Sequence, residues 1–161
     1  MIRDYRPEDR AAVLAINEMN IPDVGDMDAT KLDLLLAEAA QFSVVDVEGE
    51  VVGIMILLGP GSTYASPNYR WFTERYDDFL YVDRIALAPE ARGQGWGPAL
   101  YALFAELAAE LGAPVMTAEV NTVPRNDRSL RFHEVNGFEE AARCQPYGGD
   151  EEVAMLVKTL G

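Results

Sequence analysis

Ala91-Arg92-Gly93-Gln94-Gly95-Trp96-Gly97-Pro98 is the stretch on which the fold of this chain turns. It follows an apolar, strand-like segment, Phe79 to Ala88, and opens an amphipathic helix expected over Pro98 to Leu111. Glycine has no Cβ, so Gly93, Gly95 and Gly97 let the backbone turn tightly and bring its N–H groups close to a ligand. At a helix N-terminus those donors have no intrahelical acceptor, and the aligned peptide dipoles add positive potential. The stretch therefore reads as a pyrophosphate cradle. Arg92 adds a cation at its entry, and Pro98 suits a first helical turn.

The spacing separates this cradle from two better-known ones. A P-loop needs G-x-x-x-x-G-K-[ST], yet the only lysines are Lys31 and Lys158. A dinucleotide fingerprint needs G-x-G-x-x-G, and counting from Gly93 puts Pro98 in the last place. R/Q-x-x-G-x-G/A does fit, as Arg92-x-x-Gly95-x-Gly97, and this pattern resembles the acetyl-coenzyme A loop of the GNAT superfamily of N-acetyltransferases.

A second set of residues carries the same resemblance. Asn126-x-x-Ser129-x-x-Phe132-His133-x-x-x-Gly137-Phe138 is similar to the later GNAT pattern N-x-x-[AS]-x-x-[LF]-Y-x-x-x-G-F. One position departs from it: His133, the only histidine of the chain, stands where the family carries tyrosine.

Composition sets the outer limits. The chain has 161 residues, enough for one domain with a sizeable core, and it is 49% hydrophobic without an apolar run of membrane length. A single cysteine, Cys144, excludes an internal disulfide framework, and with one histidine no metal site is expected. Met1-Ile2-Arg3-Asp4-Tyr5-Arg6 lacks the apolar core of a secretory signal, which makes cytoplasmic residence the expectation. A net charge of −14 argues against a nucleic-acid partner and would steer a cationic amine inward, although simple solubility explains it equally well.

Periodicity gives an order of elements. Ile2 to Tyr5 is expected as a short strand, then a helix from Pro7 to about Glu18 and another from Asp28 or Thr30 to Ala40. Phe42 to Val47 and Val51 to Leu58 form a hairpin across Glu48-Gly49-Glu50. Tyr64 to Asp78 is a long aromatic connection, which either lines an acceptor pocket, forms a homodimer surface or packs in the core. After the Phe79–Ala88 strand and the loop helix come a strand at Val115 to Val120 and a short helix at Ser129 to Val135. A hairpin of Phe138 to Gln145 with Glu151 to Thr159 closes the chain. The order β-α-α-β-β-β-α-β-α-β-β is similar to the GNAT fold: an α+β, mixed sheet of about seven strands with about four helices, one domain over 1–161.

The resemblance implies direct transfer of an acetyl group from acetyl-CoA to an amine of a small molecule or peptide. It implies that Arg92, Gly93, Gln94, Gly95, Trp96 and Gly97 hold the cofactor, with Asn126 and Ser129, while main-chain groups of Ile85 and Leu87 pair with the pantetheine arm. In the place of the family tyrosine, His133 would protonate the leaving thiolate or accept the amine proton, against the plainer reading that it packs on a helix face. Asp83 and Glu119, each on a central strand, are the candidate bases; the plain alternative is an ion pair, with Arg84 or Arg131. A non-catalytic acyl-CoA sensor with the same fold is the alternative function. A nicotinamide-dependent reductase is disfavoured by the glycine spacing.

Overall fold

Residues 1–160 are described by a computed structural model. Its elements are β1 (Ile2–Asp4), a 3-10 turn (Pro7–Asp9), α1 (Arg10–Met19), α2 (Ala29–Glu38), β2 (Gln41–Val47), β3 (Glu50–Leu58), α3 (Pro67–Thr73) and β4 (Leu80–Leu87). A second 3-10 turn (Pro89–Ala91) is followed by α4 (Trp96–Leu111), β5 (Val115–Val123), α5 (Asp127–Val135), β6 (Glu139–Cys144) and β7 (Glu152–Thr159). The strands form one mixed sheet in the order β1-β2-β3-β4-β5-β7-β6. This is the expected α+β architecture, with five α-helices among the described residues instead of about four.

The additional helix, α3, lies inside the aromatic connection. Pro67 occupies its first turn, where a missing N–H costs nothing, and Tyr69 and Phe72, three residues apart, bury on one face. Seven residues are too few for a clear periodic signal, so the sequence shows only a loop. Two boundaries also move. The helix after the glycines starts at Trp96, because the Gly95 carbonyl already accepts from the Ala99 N–H at 3.2 Å. β5 runs three residues past Val120, since the polar Asn121 still pairs with Val153 and Val123 with Glu152.

The chain divides into two compact units. The first comprises Met1–Leu58 and Val82–Glu106; the second comprises Gly59–Tyr81 and the residues from Leu107 onward. In the first, β1, β2 and β3 form an antiparallel ladder. Its hairpin turns at Glu48 and Gly49, both at positive φ, as a two-residue turn matched to strand twist requires. Val13 and Ile16 of α1 and Leu32 and Leu35 of α2 are buried, each contributing roughly 1.5–3 kcal/mol through removal from water. At Gly53 any Cβ would meet Leu87 Cδ2 at 2.6 Å, so glycine is needed there for close approach. Arg3 grips Asp9 with two N–H···O bonds of 2.8 and 2.9 Å and Asp46 with a third of 2.9 Å.

In the second unit β5 pairs with β7 and β7 with β6, all antiparallel, while β4 enters in parallel with β5 at Leu80↔Met116 and Tyr81↔Thr117. Tyr69 is its aromatic hub, with ring centroids 6.0 Å from Phe79 and 5.6 Å from Tyr81. Tyr64, Tyr69 and Phe72 are buried here. Of the three readings of the aromatic connection, core packing accounts for these rings.

Candidate functional site

The glycine-rich turn of the first unit is built mainly by backbone. Ala88 donates to the Val52 carbonyl at 2.8 Å, which turns the main chain of Ala86 and Ala88 toward β3. By strand alternation the main-chain groups of Ile85 and Leu87 face the opposite edge. Pro89–Ala91 then makes a 3-10 turn, and Arg92 is extended. Gly93 and Gly95 stand at φ +75 and +87, a region costly for any residue with a Cβ. An ideal Cβ at either position meets nothing within 4 Å. These two glycines are therefore required by backbone conformation, and the space in front of them is open. Gly97 is already helical, so its contribution is an N–H of the first helical turn and not a left-handed bend.

The three residues before Pro98 carry the first N–H groups of α4, which have no intrahelical acceptor, and Pro98 contributes none. The Trp96 indole N–H is buried with no hydrogen-bond partner among the described residues. Arg92 Nη2 donates to Asn20 Oδ1 at 2.8 Å. Asn20, at the C-terminal end of α1, donates in turn to the carbonyls of Ile16 at 2.8 Å and Leu87 at 3.0 Å. It thus ties Arg92 and the end of β4 to one helix terminus. Gln94 donates to the Glu90 carbonyl at 2.9 Å, which braces the loop itself.

Asp83, also in this unit, is engaged by its neighbour. Arg84 Nε donates to Asp83 Oδ2 at 2.7 Å with both side chains nearly buried. Arg84 Nη1 further donates to Asn17 Oδ1 at 2.8 Å and to the Gly25 carbonyl at 2.9 Å, anchoring the α1–α2 connection to β4. The ion pair considered for Asp83 therefore exists and involves Arg84; Arg131 is exposed. Lys31 is half-buried, and its ammonium is held below the usual lysine range, first by desolvation and then by the charge of Arg84.

The second unit carries the other candidate groups. Glu119 lies on β5 two residues after Thr117, on the same strand face. Its Oε1 accepts from Asn68 Nδ2 of α3 at 3.3 Å. On α5, Asn126 is the N-cap: its Oδ1 accepts from the Ser129 N–H at 3.2 Å. His133 is buried and packs edge-on against Phe132 and Phe138, with centroids 5.5 and 5.1 Å away.

His133 Nδ1 lies 2.7 Å from the Ser129 carbonyl oxygen. That oxygen can only accept, so Nδ1 carries the proton in the neutral ring and Nε2 is the acceptor nitrogen. Burial holds the imidazole below its ordinary range near 6.5, with the Ser129 bond opposing it. Burial therefore favours the neutral imidazole, with its free lone pair at Nε2. Gly137 at φ +87 ends the helix, with Phe138 N–H donating to the His133 carbonyl at 3.0 Å and Gly137 N–H to Glu134 at 3.1 Å. The Gly-Phe pair of the motif is thus a helix stop that also packs a ring on His133.

Sequence reasoning missed Asn17, Asn20 and Asn68. Each acts on a residue 51 to 72 positions away in the chain, and a lone asparagine carries no spacing signal for such a contact.

Residues 12–138 match the family model described as the acetyltransferase (GNAT) family. Ard1 from Thermoplasma volcanium has the same fold, with a TM-score of 0.79 and 24% identity over 100% of this chain and 97% of that one. The ribosomal-protein-alanine N-acetyltransferase from Brucella melitensis aligns at a TM-score of 0.75 and 25% identity, covering 99% of both chains. YncA from Salmonella typhimurium, solved with its cofactor acetyl-CoA, aligns at 0.71 and 19% identity over 100% of this chain and 94% of that one. No curated protein sequence matches the chain.

Proposed function

This chain belongs to the GNAT acetyltransferase family, and on that premise we propose how its residues divide the work of an acetyl-CoA-dependent N-acetyltransferase. The observation that carries the reading is the turn at Arg92–Gly97: two left-handed glycines with open space before them, a helix N-terminus and an adjacent guanidinium. Its donors fit a diphosphate, and no protein atom within 4 Å fills the places where Cβ atoms would stand at Gly93 and Gly95. Arg92, Gly93, Gln94, Gly95, Trp96 and Gly97 hold the diphosphate, and Ile85 and Leu87 present main-chain groups to the pantetheine arm. Asn126 and Ser129 complete the cofactor contacts from α5. When bound, acetyl-CoA supplies a thioester whose C–S bond breaks as the C–N bond to the amine forms.

The amine must lose a proton before or as it attacks, and Glu119 accepts it. Asp83, engaged by Arg84, serves to hold the α1–α2 connection, where an acceptor would be selected. His133, neutral and with its proton on Nδ1, takes at Nε2 the second proton that the amine nitrogen sheds after attack and passes it to the departing sulfur, which leaves as the free thiol. The acceptor is the amine of a small molecule or peptide, and an acidic chain favours its approach as a cation. The whole chain acts as a single domain in the cytoplasm; the family match runs through residues of both units.

The experiment is thiol release from acetyl-CoA against a panel of amines, including peptides with free α-amino groups, lysine and small monoamines. Turnover with at least one amine is expected. Tight binding of acetyl-CoA with no thiol release from any would instead identify an acyl-CoA sensor.

A further inference from the structure

Resting on the reading of Glu119 as proton acceptor, we propose that Asn68 orients the Glu119 carboxylate and receives a hydrogen bond from the incoming primary amine. The position of Asn68 is set by its neighbour. Tyr69 is fully buried, its hydroxyl donating to the Gly59 carbonyl at 2.7 Å and accepting from the Ser62 N–H at 3.1 Å. That clamp fixes the first turn of α3, and Asn68 with it.

The direction of the amide follows from its partner. A carboxylate only accepts, so the group facing Glu119 Oε1 at 3.3 Å is the amide nitrogen, as observed. The amide oxygen is then turned away, and Oδ1 is buried with no hydrogen-bond partner among the described residues. A second such atom lies on the same strand as Glu119: Thr117 is fully buried, stands two residues before Glu119 on the same face, and its Oγ1 has no partner among the described residues. Buried polar atoms in native proteins are almost always hydrogen-bonded, and two exceptions in neighbouring elements ask for a ligand.

The chemistry of these atoms names the ligand. An amide oxygen accepts, a hydroxyl accepts or donates, and a carboxylate accepts with full charge. A carboxylate- or phosphate-bearing group would meet repulsion here. A primary amine arriving as an ammonium has three N–H donors, one for the carboxylate that removes its proton and others for oxygens such as Asn68 Oδ1. The amide thereby does two things at once: its nitrogen stabilises charged Glu119, and its oxygen aims the attacking nitrogen.

The test follows the Glu119 carboxyl carbon by NMR as pH is varied, in the full-length protein saturated with CoA, using E119Q to assign the signal. Asn68→Ala and the isosteric Asn68→Asp are compared with wild type, and melting curves establish that each is folded. Loss of the donor should raise the pH at which Glu119 titrates by roughly half a unit in Asn68→Ala, and further in Asn68→Asp, where a second carboxylate opposes ionisation. With the best amine from the panel, Asn68→Ala should raise the amine KM by about tenfold while the acetyl-CoA KM stays within about twofold. An unmoved Glu119 titration, or an unmoved amine KM, would overturn the proposal. Full turnover by E119Q would refute the base assignment instead, whereas a wild-type-like Asn68→Ala beside an inactive E119Q would refute the role of Asn68 alone.

Discussion

The turn at Arg92–Gly97 and the group around Glu119 are made from different materials. The first is main chain held by two positive-φ glycines and one helix terminus, with side chains such as Asn20 and Gln94 bracing it from behind. The second is side chain throughout: a carboxylate, an amide and a hydroxyl, drawn from α3 and β5. Backbone donors do not titrate and survive any substitution other than one to proline, which suits recognition of a permanently charged diphosphate. Side chains can be deleted singly and change charge with pH, which suits proton transfer. The two regions should therefore answer mutation and pH in opposite ways.

The largest difference is expected at Glu119. Removing its charge in E119Q should lower turnover by about 10²–10⁴-fold, the span of a lost general base, with acetyl-CoA affinity unchanged. Calorimetric binding beside steady-state rates checks this; equal loss in both would erase the division of labour. At the turn the pattern should invert. Gly95→Ala places a Cβ at φ +87, costing about 1–2 kcal/mol of local strain, so acetyl-CoA affinity should fall severalfold or more while saturating turnover is largely retained.

A smaller effect is expected at the cap of α5. Asn126→Ala removes the acceptor for the Ser129 N–H and should cost about 1 kcal/mol of stability in denaturant titrations. If cofactor contact is the main role of Asn126, affinity will drop more than stability. That outcome would sharpen the assignment of this residue, which the cap alone does not explain.

The finest test is the pH dependence of folding. Burial lowers the pKa of His133 in the folded state, so between that value and the unfolded value near 6.5 the unfolded chain binds more protons. Its contribution is complete above the unfolded value and is lost as pH falls through the folded one. The Asp9 and Asp46 carboxyls, held below the usual carboxylate range by hydrogen bonds from Arg3, act in the same sense at lower pH. As pH is lowered from 8 toward 5, the melting temperature of wild type should fall further than that of His133→Phe. Parallel curves would mean that His133 titrates alike in both states, against its burial.

What was legible in the chain follows the same division. The positions of Gly93 and Gly95, the apolar Phe79–Ala88 run before them and the Gly137-Phe138 stop could be read in order along the sequence, because each states a local backbone need. The family resemblance and the element order rest on such local needs: the family model matches residues 12–138, and the order holds in the structure apart from the inserted α3. α3 escaped because its signal is only two buried rings, Tyr69 and Phe72, in about two turns of helix.

The sequence by itself determined the strand–turn–helix at Arg92–Gly97, since helix starts and left-handed turns are settled by neighbouring residues within one turn of chain. Only the tertiary structure decided that Asp83 is matched to Arg84, that Arg92 leans on Asn20, that His133 is neutral and that Asn68 reaches Glu119. Most of these depend on burial and on contacts between residues far apart in sequence. Adjacency alone could not decide even the Asp83–Arg84 pair, because consecutive strand residues ordinarily face opposite ways.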